Sequence, residues 1–467
     1  MIDSDPANAS IDALLAALAS GNTCALDLVE ATLARIRDLD QQGPSLCAMT
    51  YVAADQARAA ALESDHRRAQ GEPARLLEGI PVLLKDNIDV AGWPTRGGSR
   101  ALEGLVAEHD AEIVKRLRRA GAVLIGKTAM HELACGITGA SSLTGFARNP
   151  YHLGRSPGGS SSGAAVAVAA GYAPLAIGTD TAGSIQIPAA FNNLYGLRAT
   201  RGTLPMTGIM PLSPRQDMAG PLTRYAADLE RAFAVLSDMP LAATETATDI
   251  SIGVLSEAFD RTAPDGADIS AVVDNALERL RDQGTRIGEA SIADILADAQ
   301  TANVIAFEFD QALSRYLAER STSPVKTLAA ILASGLNHEQ LTPVFEKRVA
   351  HPGTDDPKYL EALALQKRLR ETIETYLDEH RLDLLAYPTV RQPPTTLGGD
   401  QNGSNGLLAP VTGLPSINLP AGFDREGLPV GMQLLARAGG EQRLLCIARM
   451  WGRLHSQWPT PPAIAED

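Results

Sequence analysis

The side chains able to do chemistry are few and unevenly placed. Only seven lysines stand among 41 basic residues, and two of them, Lys85 and Lys127, close apolar runs. A lysine that ends a buried run is poorly hydrated, which favours the neutral amine. A neutral amine accepts a proton, which arginine does not do near neutral pH. Moving a lysine pKa from ~10.4 to near 8 corresponds to roughly 3 kcal/mol, which partial burial supplies. Serines cluster in Ser156-Pro-Gly-Gly-Ser-Ser-Ser-Gly163, and Ser184 follows Thr181-Ala182-Gly183. A serine hydroxyl is a weak nucleophile until a neighbouring base takes its proton. Small residues before it let main-chain N–H groups converge on a developing oxyanion. From residue types alone, a surface pair of Lys85 with Asp86 or Asp89 is the simpler arrangement, and Ser160 to Ser162 read as helix caps.

Two short motifs compete for these residues. Gly121-Ala-Val-Leu-Ile-Gly126-Lys127-Thr128 fits the phosphate loop GxxxxGK[ST], which would make a nucleotide-binding protein. That loop needs its middle residues to turn their N–H groups to phosphate, whereas Ala-Val-Leu-Ile reads as a buried strand running into a turn. Gly159-Ser160-Ser161-Ser162-Gly163 fits the nucleophile elbow GxSxG. The elbow needs a strand before it and an acid and a histidine after it. Here Leu153-Gly-Arg-Ser-Pro-Gly158 precedes it, and Pro and Gly interrupt any central strand. His131-Glu132 lacks the second histidine of HExxH, so no metal site is expected.

A wider set of motifs occurs in order: Ile80-Pro-Val-Leu-Leu-Lys-Asp-Asn87, Gly126-Lys-Thr, Arg148-Asn-Pro150, the serine cluster, Leu175-Ala-Ile-Gly-Thr-Asp-Thr-Ala-Gly-Ser-Ile-Gln-Ile-Pro188, Tyr195-Gly-Leu-Arg198 and Gly427-Leu-Pro-Val-Gly-Met-Gln-Leu434. Through them the chain resembles the amidase signature family over residues 10–450. The resemblance implies a three-layer α/β/α fold, with a large mixed central sheet covered by helices on both faces. It implies a triad of Ser184, Ser160 and Lys85, with a cis peptide bond before Ser160. It also implies an oxyanion hole at Thr181, Ala182, Gly183 and Ser184, with Asp180 as a brace. Hydrolysis of an amide would proceed through an acyl-enzyme on Ser184, without cofactor.

Many members have Ser-Ile-Arg where this chain has Ser184-Ile185-Gln186, a loss of positive charge that leans towards neutral amides. Cys135, Gly136, Ile137, Gln186 and Met206 are the candidate substrate-binding residues. The segments 130–137 and 206–210 and the loop near Gly403 are candidate walls. A carbamate (urethane) hydrolase with the same triad is one alternative, and the A subunit of a glutamine-dependent tRNA amidotransferase is another. Against the latter, no tyrosine occurs between Tyr316 and Tyr359.

The elements that must position these residues follow from periodicity. Residues 10–40 read as two helices, 53–69 and 110–119 as two more, and residues 80–84, 122–125 and 173–177 as buried strands. Apolar strands alternating with helices imply a parallel or mixed sheet covered on both faces. Residues 240–249 read as a connector, 265–385 as a mostly helical insertion or cap in a single domain of residues 1–467, and 397–406 as a candidate mobile loop. Composition is globular, 45% hydrophobic and 21% charged, and the net charge of -14 disfavours nucleic acid and anionic membrane as partners. Four scattered cysteines, no signal-like start and no apolar run of ~20 residues fit a cytoplasmic protein acting on a small molecule, as monomer or homodimer.

Overall fold

A computed structural model describes residues 6–240, 250–454 and 459–465. The connector read at 240–249 lies, apart from Pro240, outside the described residues. The centre is a mixed sheet of 11 strands. In chain order these are β1 (Met49–Val52), β2 (Pro81–Lys85), β3 (Val123–Thr128), β4 (Leu175–Asp180), β5 (Tyr195–Arg198), β6 (Met218–Thr223), β7 (Ser251–Leu255), β8 (Arg286–Ala290), β9 (Leu384–Pro388), β10 (Ser416–Phe423) and β11 (Pro429–Ala436). They lie in the order β1-β3-β2-β4-β6-β5-β10-β11-β9-β7-β8.

β2 is parallel to both neighbours, β3 and β4. Val82, Leu83 and Leu84 are all fully buried. Since successive side chains of a strand point to opposite faces, both faces are covered there, as the expected α/β architecture requires. Among the covering helices, α1 (Ser162–Ala169) is built almost wholly of Gly, Ala and Val and is buried along its length. β3 runs through Gly126-Lys127-Thr128, where the sequence pattern ends the strand and begins a turn. Its antiparallel neighbour β1 comes so close that a Cβ on Gly126 would lie 2.1 Å from the Tyr51 carbonyl oxygen. The second glycine of the phosphate-loop match is therefore a strand-packing glycine.

A second apolar cluster sits beside the main core. It joins Met130, Leu133 and Met210 to residues of α3 (Ile305–Ala318), α4 (Leu328–Ser334) and α5 (Thr342–Val349). α6 (Pro357–Glu379) follows, while β8, within the same stretch of chain, pairs with β7 in the main sheet. Tyr316 and Arg320 tie this helical layer to the sheet. Both donate to Asp89, each at 2.6 Å, just beyond the end of β2. No described helix is long and apolar enough to cross a membrane.

Candidate active site

The parallel neighbours β2 and β4 end side by side, and their C-terminal ends carry Lys85 and the turn 181–184. Clefts beyond the carboxyl ends of adjacent parallel strands are the usual place for ligands in open α/β sheets. Lys85 is fully buried. Its Nζ donates to Ser160 Oγ at 2.7 Å, to Thr179 Oγ1 at 2.8 Å and to the Thr179 carbonyl at 3.3 Å. The simpler surface pairing is not formed. Asp86 faces Lys127 instead, and Asp89 pairs with Arg320. Burial lowers the Lys85 pKa to about 7, with Asp180 and Asp217 opposing the shift.

The Gly159–Ser160 peptide bond is cis. Ser161 fastens this segment to β4 and the turn, its Oγ donating to the Thr179 carbonyl and its N–H donating to the Ser184 carbonyl at 3.2 Å. The elbow reading fails because residues 153–158 form no strand.

The turn itself is held from below. Asp180 accepts the N–H of Gly183 at 3.0 Å and of Ile185 at 2.8 Å. Arg198, also fully buried, clamps the carboxylate of Asp180 at 3.1 Å. Gly183 therefore has its N–H committed to Asp180, a correction to its expected role as an oxyanion donor. The N–H groups of Ala182 and Ser184 have no acceptor among the described residues. The Thr181 N–H likewise has no acceptor among the described residues, so Thr181, Ala182 and Ser184 are the donors left of the expected four.

The candidate substrate-binding residues part company. The loop 131–139 folds around the His131 ring, whose Nδ1 accepts the N–H of Thr138 and Gly139. Burial pushes His131 down to about 3, so the ring stays neutral. A Cβ on Gly136 would meet that ring at 2.3 Å. The loop's far side lays Ile137 against Gly159, on the cis segment, and packs Cys135 on the second apolar cluster, where Ala182 also packs. Burial raises the Cys135 thiol pKa, so it is no competing thiolate. Met206 lies against β6, its sulfur accepting the Ala219 N–H.

Gln186 is different: it is fully buried and its amide donates to the Ser416 carbonyl of β10. Gly403 is engaged by Arg391 through its carbonyl. Lys127, enclosed by the carbonyls of Asp86 and Pro94 and by Thr95, has no opening to a phosphate.

Sequence reasoning missed Thr179, Gln216 and Asp217. Thr179 sits inside the Gly-Thr-Asp-Thr motif, which was its one available signal. Asp217 accepts the Thr181 hydroxyl at 2.6 Å, and burial raises its pKa to about 6.

A family model described as Amidase matches residues 27–445. The chain is 31% identical to the A subunit of glutamyl-tRNA(Gln) amidotransferase from Symbiobacterium thermophilum, over 96% of this chain and 97% of the relative. It is 32% identical to mandelamide hydrolase of Pseudomonas putida over 93% of this chain and 89% of that one. The solved structure of native peptide amidase from Stenotrophomonas maltophilia superposes with a TM-score of 0.88 at 33% identity, covering 97% of this chain and 98% of the other.

Proposed function

This chain belongs to the amidase family and is an amide C–N hydrolase, and from that premise we propose that it cleaves a small neutral amide through an acyl-enzyme on Ser184, with Ser160 as relay and Lys85 as base. The observation that carries the reading is Lys85: fully buried, with no ion pair among the described residues, bonded to Ser160 Oγ and poised at about 7. A general base works best with a pKa near the operating pH.

Ser184 Oγ attacks the amide carbonyl while its proton passes through Ser160 to Lys85. The oxyanion is received by the open N–H groups of the turn, those of Thr181, Ala182 and Ser184. The C–N bond then breaks, the amine leaves with a proton returned from Lys85, and water releases the acid by the same route. Neutral substrates are favoured by the half-buried apolar Ile137, which lies against Gly159 on the cis segment. Relatives named for mandelamide and for peptide amides support the same class.

A hydrolysis panel of anilides, primary amides, peptide amides and aryl carbamates tests this. Turnover of a neutral amide by the isolated chain, reduced about 10³-fold or more in Ser184→Ala, is expected. Full activity in Ser184→Ala defeats the proposal. Preference for the carbamates selects the urethane hydrolase instead, and no turnover without partner proteins selects the amidotransferase.

A further inference from the structure

We infer that Gln216 is a positioning residue for the proposed reaction, fixing the Thr181–Ala182 peptide plane and fastening it to the helical layer. The inference rests on the reading of Ser184 as nucleophile. Gln216 is fully buried, and its Nε2 donates to the Thr181 carbonyl at 3.0 Å. Its Oε1 accepts the N–H of Val304 at 2.8 Å, immediately before α3, and the Gln366 amide of α6 at 3.3 Å. Gln366 is anchored in turn on the Ala302 carbonyl at 2.9 Å. The Gln216 main chain is itself held, since its carbonyl accepts Arg198 Nη2 at 2.6 Å. The next residue, Asp217, takes the Thr181 hydroxyl and the N–H groups of Leu212 and Ser213.

Two consecutive residues thus grip the carbonyl and the hydroxyl of Thr181. Across a trans peptide the C=O and the following N–H point in opposite directions. Holding the Thr181 oxygen on Gln216 therefore aims the Ala182 N–H away from Gln216. The Ser184 donor is set by the same rule. The Gly183 carbonyl accepts the N–H of Ile187, on α2 (Gln186–Phe191), which turns the Ser184 N–H the opposite way. Between them, Asp180 absorbs the Gly183 N–H. Asp180 thus removes one of the turn's N–H groups, and of those left Gln216 sets that of Ala182 from side-chain contacts that reach 88 and 150 residues along the chain.

The test uses Gln216→Met, Gln216→Glu, Gln366→Met and Ser184→Ala in the full chain. The readouts are kcat and KM on a panel amide, the affinity for a trifluoromethyl ketone analogue of that amide, the affinity for the acid product, and thermal unfolding. Gln216→Met is expected to lower kcat about 10- to 100-fold with KM nearly unchanged. Analogue affinity should fall by the same factor as kcat/KM, with product affinity unmoved. Gln366→Met, which cuts only the remote tie, should give a smaller loss in the same sense. In Gln216→Glu a protonated carboxyl restores a donor to Thr181, so the ratio of its kcat to that of the wild type should rise as pH falls. Gln216→Met with wild-type kcat and analogue affinity overturns the inference. So does equal loss of analogue and product affinity alongside a lowered Tm, which marks a role in stability alone. Full activity in Ser184→Ala removes the underlying reading and the inference together.

Discussion

At Lys85 two opposing effects decide the chemistry. Desolvation lowers its pKa and the carboxylates of Asp180 and Asp217 raise it, with desolvation winning at about 7. Activity should therefore rise with pH through about 7, as the amine becomes free to accept the serine proton. Lys85→Arg keeps a cation that cannot be deprotonated and should lose about 10³-fold in kcat/KM, measured as a full pH profile. The same group costs stability. Between about 7 and the ordinary 10.5 the unfolded lysine holds a proton that the folded one lacks, so stability rises with pH across that window. Lys85→Met should thus raise Tm at about pH 7, a gain that shrinks towards about pH 10 in thermal unfolding. Lys85, Ser160 and Ser184 were legible as motif letters. Thr179 was a motif letter too, but its role, like those of Gln216 and Asp217, comes from contacts that only the folded chain creates. Asp180 was legible as the brace of the turn; that the brace takes the N–H of Gly183, one of the expected oxyanion donors, was not.

The site is the meeting of two strand ends and a loop. β2 and β4 align Val82 with Leu175 and Leu84 with Ile177, and that register brings Lys85 to Thr179. The apolar runs were readable, but β3 extends to Thr128 because β1 and β2 both pair with it that far, neighbours no local pattern names. The glycine-rich stretch 397–406, read as a candidate mobile loop, is hydrogen-bonded to the body: Leu397 N–H to Gly154, Arg391 N–H to Gly403, and Asn405 N–H to Thr389. Its composition answers a need for close approach. A Cβ on Gly406 would lie 2.7 Å from the Gly183 Cα, so the loop rests directly on the turn of the site. Gly406→Ala should displace that turn and lower kcat about 10-fold with little change in Tm, measured by steady-state kinetics and thermal unfolding. An unaltered kcat would mean the loop yields and the turn stays.

Across the molecule, the sheet ends in Lys85 and the turn of Ser184, and the second apolar cluster, on which Ala182 and Cys135 pack, joins the helical layer to them. The alternation of strands and helices made the α/β class legible. The order of 11 strands was not, since pairs such as β5–β10 join segments far apart in the chain, Gly196 lying opposite Asn418. The layer is fastened at buried polar points such as Tyr316–Asp89. Tyr316→Phe leaves one Asp89 oxygen without this donor and should cost about 1–3 kcal/mol in chemical unfolding while the pH profile keeps its midpoint near 7. The proposed chemistry as a whole stands on one atom, Ser184 Oγ. Treatment with a serine-directed fluorophosphonate, followed by mass mapping of the labelled peptide, tests it most directly. A single adduct on Ser184, with activity lost in proportion and no adduct in Ser184→Ala, is the predicted result. Full activity after exhaustive treatment, or labelling that persists in Ser184→Ala, would contradict it.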